Sequence, residues 1–406
     1  MSAGREGGEA AKVRLGVAGT GFIGQMHARN ALASDAVELV AVGSARGAAS
    51  ASQLAGELGV RALSLEELWT DDEVEAVLLA TRTSDHVEHA LAVLGASKHL
   101  LLEKPGATTV AGQQQIAAEA ARDPDRVVRV AYHRRHDPRF RELVRLIGDG
   151  AIGTPFAVHS VSREDFPPDE GDRYSGGFIM DVGVHDFETA RWLLGEDPRT
   201  VFAHGHTTVY APESGPDNVY VTIAHPRATT TVQLSRTSRV GLEIRFEVIG
   251  TEGAALLAPA RLGGGITLLT ETVRHEFPAD CRTGFPDAYP AELADFAAAV
   301  RGERTTARRS RMTAGRSPPP SLPERACTAE RLWRSARITS SRTGPRYARY
   351  LSVSRPGPGK GAPGPPGRPS AGGEEEVEVA AVRSEVDDRA PQQVGAVLAA
   401  GVEAQG

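Results

Sequence analysis

The sequence predicts an α/β protein with a doubly wound parallel sheet, followed by an α+β domain with a large, mainly antiparallel sheet. Two observations support this fold class. In residues 12–132, short continuous runs of Val, Leu and Ala alternate with helix-length segments, as expected when helices cover both faces of a parallel sheet. In residues 133–302 the extended runs are β-branched and alternating, which is typical of antiparallel strands with one exposed face. We therefore expect two domains within these bounds.

The first domain is expected to repeat a strand–helix–strand unit. Its strands are predicted at Val13–Ala18, Val37–Gly43, Glu75–Thr81, His99–Glu103 and Arg126–Tyr132. Its helices are predicted near Ile23–Ala33, Ala48–Leu58, Val87–Gly95 and Ala111–Ala121. Because crossover helices pack on both faces of a parallel sheet, this order predicts the doubly wound arrangement.

The second domain mixes helices with a longer series of strands. Helices are predicted at Asp137–Leu146, Asp181–Leu194 and Tyr289–Val300. Strands are predicted at Phe156–Arg163, Thr200–Tyr210, Asn218–Ala224, Thr229–Ser235, Leu242–Ile249 and Ile266–Phe277. A sheet of this kind leaves one face for solvent or for a subunit contact.

The composition is that of a globular protein, and it excludes several classes. Of 406 residues 40% are apolar, and the formal net charge of −6 argues against a chain devoted to nucleic acid. Cys281 and Cys327 are too few and too isolated for a disulfide framework, and no cluster of His, Cys and carboxylates predicts a metal site. No apolar run approaches the ~20 residues that span a bilayer. We expect a cytoplasmic protein without a membrane or nucleic-acid partner.

Residues 303–406 resemble neither domain, and residues 1–11 are small and charged. Between Arg304 and Arg349 there are twelve arginines and two acids, and residues 356–369 are almost wholly Pro and Gly. Such segments cannot bury enough apolar surface to fold, so both termini are expected to be disordered. We favour a shift of reading frame near residues 303–310 of a GC-rich gene, which would yield this bias. A genuine basic tail that binds nucleic acid or an acidic partner is the alternative.

A glycine-rich turn follows the first predicted strand. Gly19, Gly21 and Gly24 form the pattern G-x-G-x-x-G, with Phe22 and Ile23 inside it, and a predicted helix begins there. In this context the glycines allow a tight turn, close approach of a pyrophosphate, and close packing of the helix. The turn predicts a Rossmann domain that binds NAD or NADP. A tight turn that binds no cofactor is the alternative.

The end of the second predicted strand bears on the choice of cofactor. An acidic residue there would bind the ribose 2′-hydroxyl of NAD, but the chain has Ser44 and Arg46 and no acid. A hydroxyl and a guanidinium suit a 2′-phosphate, which favours NADP over NAD. Alternatively, Arg46 is a solvated residue before the next helix.

The fourth predicted strand ends in Glu103-Lys104-Pro105, and several later segments extend this motif. They are Ala80-Thr81 with Ser84 and His86, Tyr132-His133-Arg134-Arg135, the block from Gly176 to Asp186, and Ala288-Tyr289 with Glu292. Together they resemble the glucose–fructose oxidoreductase, inositol dehydrogenase and rhizopine-catabolism family, abbreviated Gfo/Idh/MocA. The resemblance covers roughly Lys12 to Gly302. It departs from the family at Arg82 and Thr83, where a proline and an asparagine are usual, and at His133, where asparagine is more frequent.

The resemblance implies that Lys104, Asp181 and His185 are the catalytic residues. It also places Thr81, His86, Glu103 and Lys104 at the cofactor and implies a cis bond before Pro105. The chemistry agrees, because histidine can take a hydroxyl proton near neutral pH and a lysine can stabilise the charge that develops on the reacting oxygen. Each residue also has a plainer interpretation: a surface lysine, a helix N-cap and a core histidine.

Three further residues are candidates for substrate contacts, namely Arg134, Tyr174 and Asn218. Arg134 could instead form an ion pair that joins the domains. The family implies an NAD(P)-dependent oxidoreductase that interconverts a secondary alcohol and a ketone on a sugar, cyclitol or related polyol. The alternative is a dinucleotide-binding regulatory protein that has lost catalysis. The family and the β-rich face together lead us to expect a homodimer or homotetramer.

Overall fold

The computed structural model describes residues 11–165, 177–210, 215–238, 241–257 and 280–303, with the backbone of 336–338. The first domain contains a parallel six-stranded sheet in the order β3-β2-β1-β4-β5-β6. Its strands are β1 Val13–Ala18, β2 Val37–Gly43, β3 Arg61–Leu63, β4 Ala76–Leu79, β5 His99–Glu103 and β6 Val128–Ala131. Its helices are α1 Phe22–Leu32, α2 Ala48–Leu58, α3 Leu65–Thr70, α4 His86–Gly95 and α5 Val110–Ala120. The predicted parallel doubly wound sheet is confirmed.

The strand order places a crevice between β1 and β4. These two strands are neighbours in the sheet. The chain continues from β1 to β2 and β3 toward one edge, and from β4 to β5 and β6 toward the other edge. In open α/β sheets a ligand binds outside the carboxyl ends of the strands at such a reversal. The glycine turn follows β1, Thr81 follows β4, and Lys104 follows β5. The topology therefore places three predicted site segments along one edge of the sheet.

The second domain contains a seven-stranded, mainly antiparallel sheet in the order β12-β11-β7-β10-β9-β8-β13. Its strands are β7 Pro155–Arg163, β8 Thr200–His206, β9 Asn218–Ala224, β10 Thr229–Ser235, β11 Glu243–Gly250, β12 Gly253–Leu257 and β13 Ala336–Ile338. Its helices are α6 Pro138–Gly148, α7 Val184–Leu194, α8 Cys281–Gly284 and α9 Ala288–Val300. β7 pairs parallel with β10 and antiparallel with β11, so the sheet is mixed.

Among the described residues, helices cover only one face of this second sheet. Phe140 of α6 and Leu193 of α7 pack with Phe246 of β11 in a buried apolar cluster. On the other face alternate residues of β8 and β9 stay exposed, including Phe202 at 65% and Tyr220 at 48%. This is the one-sided burial that the alternating pattern predicts.

Helix α9 belongs to the cores of both domains. Leu293 and Phe296 pack into the apolar cluster of the first sheet. Tyr289, one turn earlier, packs into the cluster of the second sheet. Arg129 of β6 also donates a hydrogen bond of 2.7 Å to Asp295. The last predicted helix therefore closes the junction between the domains.

Some expectations differ from the structure or fall outside it. β3 and α3 were not expected from the pattern, because three and six residues are too short for a clear period. The helix expected from Asp181 is a π-helical turn at Ile179–Gly183 that continues as α7. The expected strand Ile266–Phe277 lies outside the described residues. So do residues 1–10 and the tail beyond Glu303, apart from β13.

Candidate active site

The glycine turn leaves an open space at the amino end of α1. Gly19 has a φ of +131°, and a Cβ there would lie 2.2 Å from the Ala80 carbonyl oxygen. A Cβ on Gly24 would lie 2.1 Å from the Gly19 oxygen, so both positions require glycine. A Cβ on Gly21 would meet nothing within 4 Å. No side chain caps α1 and its first turn has no acidic residue, so its free amides and positive dipole end can bind an anion.

The neighbouring residues complete a site that fits a dinucleotide. Phe22 is half exposed and Ile23 is partly buried at the start of α1. Ser44 is 8% exposed, and its hydroxyl lies 2.9 Å from that of Thr20 and accepts the Arg46 backbone N–H at 3.1 Å. The Arg46 side chain is exposed and makes no ion pair with the described residues. A ribose phosphate at the end of β2 would therefore meet a free guanidinium.

His86 joins the loops that follow β4 and β5. Its ring is 1% exposed, and Nδ1 donates to the Pro105 carbonyl oxygen at 2.9 Å. Nε2 of the same ring lies 3.3 Å from the Thr81 carbonyl oxygen. Burial lowers the pKa of His86, which keeps the ring neutral. The cis bond implied by the resemblance is present at Lys104–Pro105.

Glu103 fixes the backbone at Lys104. One carboxylate oxygen lies 2.7 Å from Nε2 of His27 on α1, and the other accepts the Lys104 backbone N–H at 3.0 Å. Both the Glu103 and His27 side chains are buried. The carboxylate is thus occupied by protein donors and ties the end of β5 to the helix of the glycine turn.

Lys104 and Asp181 meet beside this edge. The Lys104 ammonium donates to Oδ1 of Asp181 at 2.7 Å and to the Asp181 backbone oxygen at 2.9 Å. The two side chains keep 18% and 29% of their surface exposed, so a ligand can reach them. Burial alone would lower the pKa of Lys104, but the Asp181 carboxylate, helped by Glu103 and Glu164, raises it above its ordinary value. Lys104 is therefore a cation that donates hydrogen bonds.

His185 supplies a neutral imidazole in the first turn of α7. Its ring is partly exposed and makes no hydrogen bond with the described residues. Burial lowers its pKa well below 6.5, and the charges of Lys104, His133 and Arg134 lower it further. The His133 ring contacts it edge-on, with ring centroids 4.8 Å apart. A neutral imidazole next to a fixed ammonium can accept a proton while the ammonium stabilises an oxyanion.

The candidate substrate residues occupy different surroundings. Arg134 is 3% exposed, and its guanidinium lies 3.4 Å from Asp186 and 3.2 Å from Ser162. Little of that side chain is left for a substrate to touch. Asn218 begins β9 and donates to Thr208 at 3.1 Å. Tyr174 lies outside the described residues.

Several polar residues at the site were not assigned a role from the sequence. His27 follows Gly24 by three positions, a spacing that could have indicated it. Asp186, Tyr289 and Glu292 lie in the segments that resemble the family, but no chemistry pointed to them. Glu164 follows β7 without any motif, and burial raises its pKa beside Lys104 and Asp181. Tertiary contacts reveal all five.

Two kinds of feature are absent from the part of the chain that the structure describes. No group of three or more His, Cys, Asp or Glu there could hold a metal ion. None of the helices in these ranges has the length and apolar character needed to cross a membrane.

A parallel sheet with an open glycine turn, and a lysine–aspartate pair at the same edge, define a class of dinucleotide-dependent oxidoreductases. Comparison with protein-family models agrees with this class. Residues 13–132 match the model described as "Oxidoreductase family, NAD-binding Rossmann fold", and residues 140–256 match the GFO/IDH/MocA C-terminal domain. The chain belongs to the Gfo/Idh/MocA oxidoreductase family, which confirms the resemblance.

Individual relatives include dehydrogenases of cyclitols and a sugar reductase. The scyllo-inositol 2-dehydrogenase (NAD(+)) of Bacillus subtilis is 32% identical over 302 residues, which is 72% of this chain and 88% of that protein. The 1,5-anhydro-D-fructose reductase of Ensifer adhaerens is 29% identical over 281 residues, covering 67% and 82%. The crystal structure of a myo-inositol dehydrogenase from Corynebacterium glutamicum superposes with a TM-score of 0.63 at 25% identity, covering 73% of this chain and 91% of that one.

Proposed function

We propose that this protein is an NAD(P)-dependent oxidoreductase that interconverts a secondary alcohol and a ketone on a sugar, cyclitol or related polyol. One observation supports this most directly. The Lys104–Asp181 ion pair lies at the same sheet edge as the open glycine turn, with the neutral His185 imidazole on the helix that follows Asp181. We assign Lys104, Asp181 and His185 as its catalytic residues.

Each of these three side chains has a different role in alcohol oxidation. His185 accepts the hydroxyl proton, for which its depressed pKa keeps a ring nitrogen free at neutral pH. Lys104 donates a hydrogen bond to the same oxygen and stabilises its growing negative charge. Asp181 holds the Lys104 ammonium in place through two hydrogen bonds. When bound, the nicotinamide supplies the acceptor for the hydride that leaves the carbinol carbon.

Two features bear on the choice of cofactor and substrate. Relatives are named as inositol 2-dehydrogenases, one of them with NAD(+) in its name, and as a 1,5-anhydro-D-fructose reductase, which supports a polyhydroxylated ring as substrate. The exposed Arg46 and the absence of an acid after β2 favour NADP, with NAD as the alternative. Two isolated cysteines suit a reducing cytoplasm.

The exposed face of the second sheet supports a homodimer or homotetramer. Phe202 and Tyr220 lie on it, and apolar side chains clustered on one face commonly mark a contact between subunits. We propose that a second copy covers this face. Analytical ultracentrifugation of the wild type and of Phe202→Asp should give a smaller species for the variant.

Turnover with defined substrates tests the proposed activity. The purified chain is assayed with myo-inositol, scyllo-inositol and a panel of aldoses, each with NAD⁺ and NADP⁺, by absorbance of the reduced cofactor. We expect turnover of at least one polyol and tighter binding of one cofactor. Tight cofactor binding with no turnover on any polyol or sugar would instead favour the regulatory protein.

A further inference from the structure

Four buried side chains and one partly buried side chain form a polar cluster where the two domains meet. The cluster consists of His27, His133, His136, Tyr289 and Glu292. Nδ1 of His27, Nε2 of His133, Nδ1 of His136 and both carboxylate oxygens of Glu292 are buried without a hydrogen-bond partner. Buried polar atoms are almost always paired, so a concentration of exceptions in one place requires an explanation.

His133 is the member of this cluster that touches the catalytic centre. Its ring stacks on Tyr289 with centroids 4.6 Å apart, and it meets Phe285 edge-on at 4.6 Å. A third contact is the edge-on approach to His185 at 4.8 Å. Aromatic rings on two sides therefore hold one imidazole beside another.

His136 and Glu292 form the far end of the cluster. His136 follows His133 by one short helical turn, and its backbone N–H donates to the His133 carbonyl oxygen at 2.9 Å. Nε2 of His136 lies 4.0 Å from Oε1 of Glu292. That separation is too long for a direct hydrogen bond. The His136 side chain keeps 11% of its surface exposed, which gives the cluster a route to solvent.

We propose that His133 relays the proton that His185 takes from the substrate hydroxyl to His136, whose partly exposed ring releases it to solvent. The inference rests on the proposed function. In alcohol oxidation the O–H bond breaks, its proton binds a ring nitrogen of His185, and the hydride leaves with the bound cofactor. The proton then passes from His185 to one nitrogen of His133, while the other nitrogen releases a proton toward His136. His185 returns to its neutral form for the next turnover.

The charges around the cluster agree with a relay. Burial lowers the pKa of His133 well below 6.5, and the nearby cations Arg134 and Lys104 lower it further. Burial also lowers the pKa of His136, to about 4. In contrast, burial raises the pKa of Glu292 well above 4.5. The imidazoles of His185, His133 and His136 are thus neutral at rest and hold the transferred proton weakly, whereas Glu292 is already protonated and accepts none.

The position of His133 offers a matched substitution. His133→Asn keeps a polar side chain that cannot carry a proton near neutral pH. His133→Phe keeps the ring that stacks on Tyr289 and removes both nitrogens. The pair therefore separates loss of packing from loss of proton transfer.

The experiment measures kcat, KM and the solvent deuterium isotope effect for polyol oxidation by wild type, His133→Asn, His133→Phe and His133→Ala. Arg145→Gln, at an exposed ion pair on α6, is the control. We expect kcat to fall about 10- to 100-fold in all three variants with KM within about twofold of wild type, the scale of a lost proton-transfer group. Added imidazole should restore kcat in His133→Ala, and methylimidazoles should do so in proportion to their basicity.

Wild-type kcat and isotope effect in both His133→Asn and His133→Phe would overturn the relay while leaving the proposed function intact. Equal rescue of His133→Ala by non-basic rings of the same size would show that His133 acts only through packing. That result would also overturn the relay. A wild-type chain without polyol turnover would overturn both proposals. Thermal unfolding of each variant confirms that a lost activity is not a lost fold.

Discussion

The Lys104 ammonium lies 2.7 Å from the carboxylate and 2.9 Å from the backbone oxygen of Asp181, 77 positions later in the chain. Two of the three N–H donors of the lysine are thus occupied, and contacts with the described residues leave one for a ligand. The cause is topological, because β5 ends at Glu103 and the π-helical turn brings Asp181 to the same edge. This contact fixes the direction of the free donor.

The activity should depend on pH through His185. Its pKa is depressed, so the ring is already neutral at pH 6.5 and stays neutral as pH rises. We expect kcat/KM for alcohol oxidation to hold constant across neutral pH and to fall only as the medium becomes acidic enough to protonate the ring. Activity should fall at the alkaline end only at high pH, since the pKa of Lys104 is raised and its ammonium stays protonated. A loss of activity centred on the ordinary pKa of histidine would contradict this assignment.

Glu292→Gln should stabilise the protein at neutral and alkaline pH. Burial raises the pKa of Glu292 in the folded state, whereas the unfolded chain ionises near 4.5. Its contribution to stability is therefore complete below 4.5 and is lost as pH rises through the folded pKa. Each unit of that shift is worth about 1.4 kcal/mol. Thermal unfolding should show a Tm gain for the variant at high pH that vanishes in acid; a gain independent of pH would reject this cause.

Gly21→Ala and Gly24→Ala should separate cofactor binding from folding. A Cβ at position 21 meets no protein atom within 4 Å, so that variant should unfold at the wild-type temperature. The added methyl enters the space available to a pyrophosphate, and we expect dinucleotide affinity to fall at least about 10-fold, since backbone approach to the phosphates needs that space. In Gly24→Ala the Cβ lies 2.1 Å from the Gly19 oxygen, so Tm should fall. Unchanged affinity in Gly21→Ala would count against the phosphate site.

Arg46→Ala should weaken NADP binding more than NAD binding. The Arg46 side chain is exposed and has no ion pair with the described residues, so its removal should leave Tm unchanged. A charge-assisted hydrogen bond to a 2′-phosphate is worth about 1.5–3 kcal/mol, or roughly 10- to 100-fold in Kd. Fluorescence titration with NADPH and NADH measures both affinities. Equal effects on the two cofactors would show that Arg46 does not bind the 2′-phosphate that distinguishes NADP from NAD.

The sequence was enough to predict the parallel sheet, the glycine turn and the edge on which Lys104 lies. Continuous apolar strands and helix-length spacers are local patterns, and the glycines have local steric causes. β3 could not be predicted because three residues are too few to show the alternating hydrophobic pattern of a strand. The π-helical turn also escaped local reasoning. A Cβ on Gly183 would lie 2.9 Å from Leu234 of β10, and that close packing is a tertiary constraint.

Contacts made across the fold were the least predictable part of the site. His27 and Glu103 are 76 positions apart in the chain, and nothing in the sequence around either residue indicates that they pair. Arg134 is a candidate for substrate contact from the sequence, yet its depth beside Asp186 depends on how α7 packs on β7. Glu292 looks like an ordinary helix residue until burial between the two sheets raises its pKa.

Lys104→Met tests the central claim most directly, because it keeps an unbranched side chain that reaches to the Cε position and removes the ammonium. Cofactor Kd is measured by fluorescence and kcat by absorbance with the best polyol of the panel. We predict a Kd within about threefold of wild type and a kcat lower by about 10²–10³, the scale of a lost oxyanion donor. A variant that turns over polyol at the wild-type rate would contradict the account.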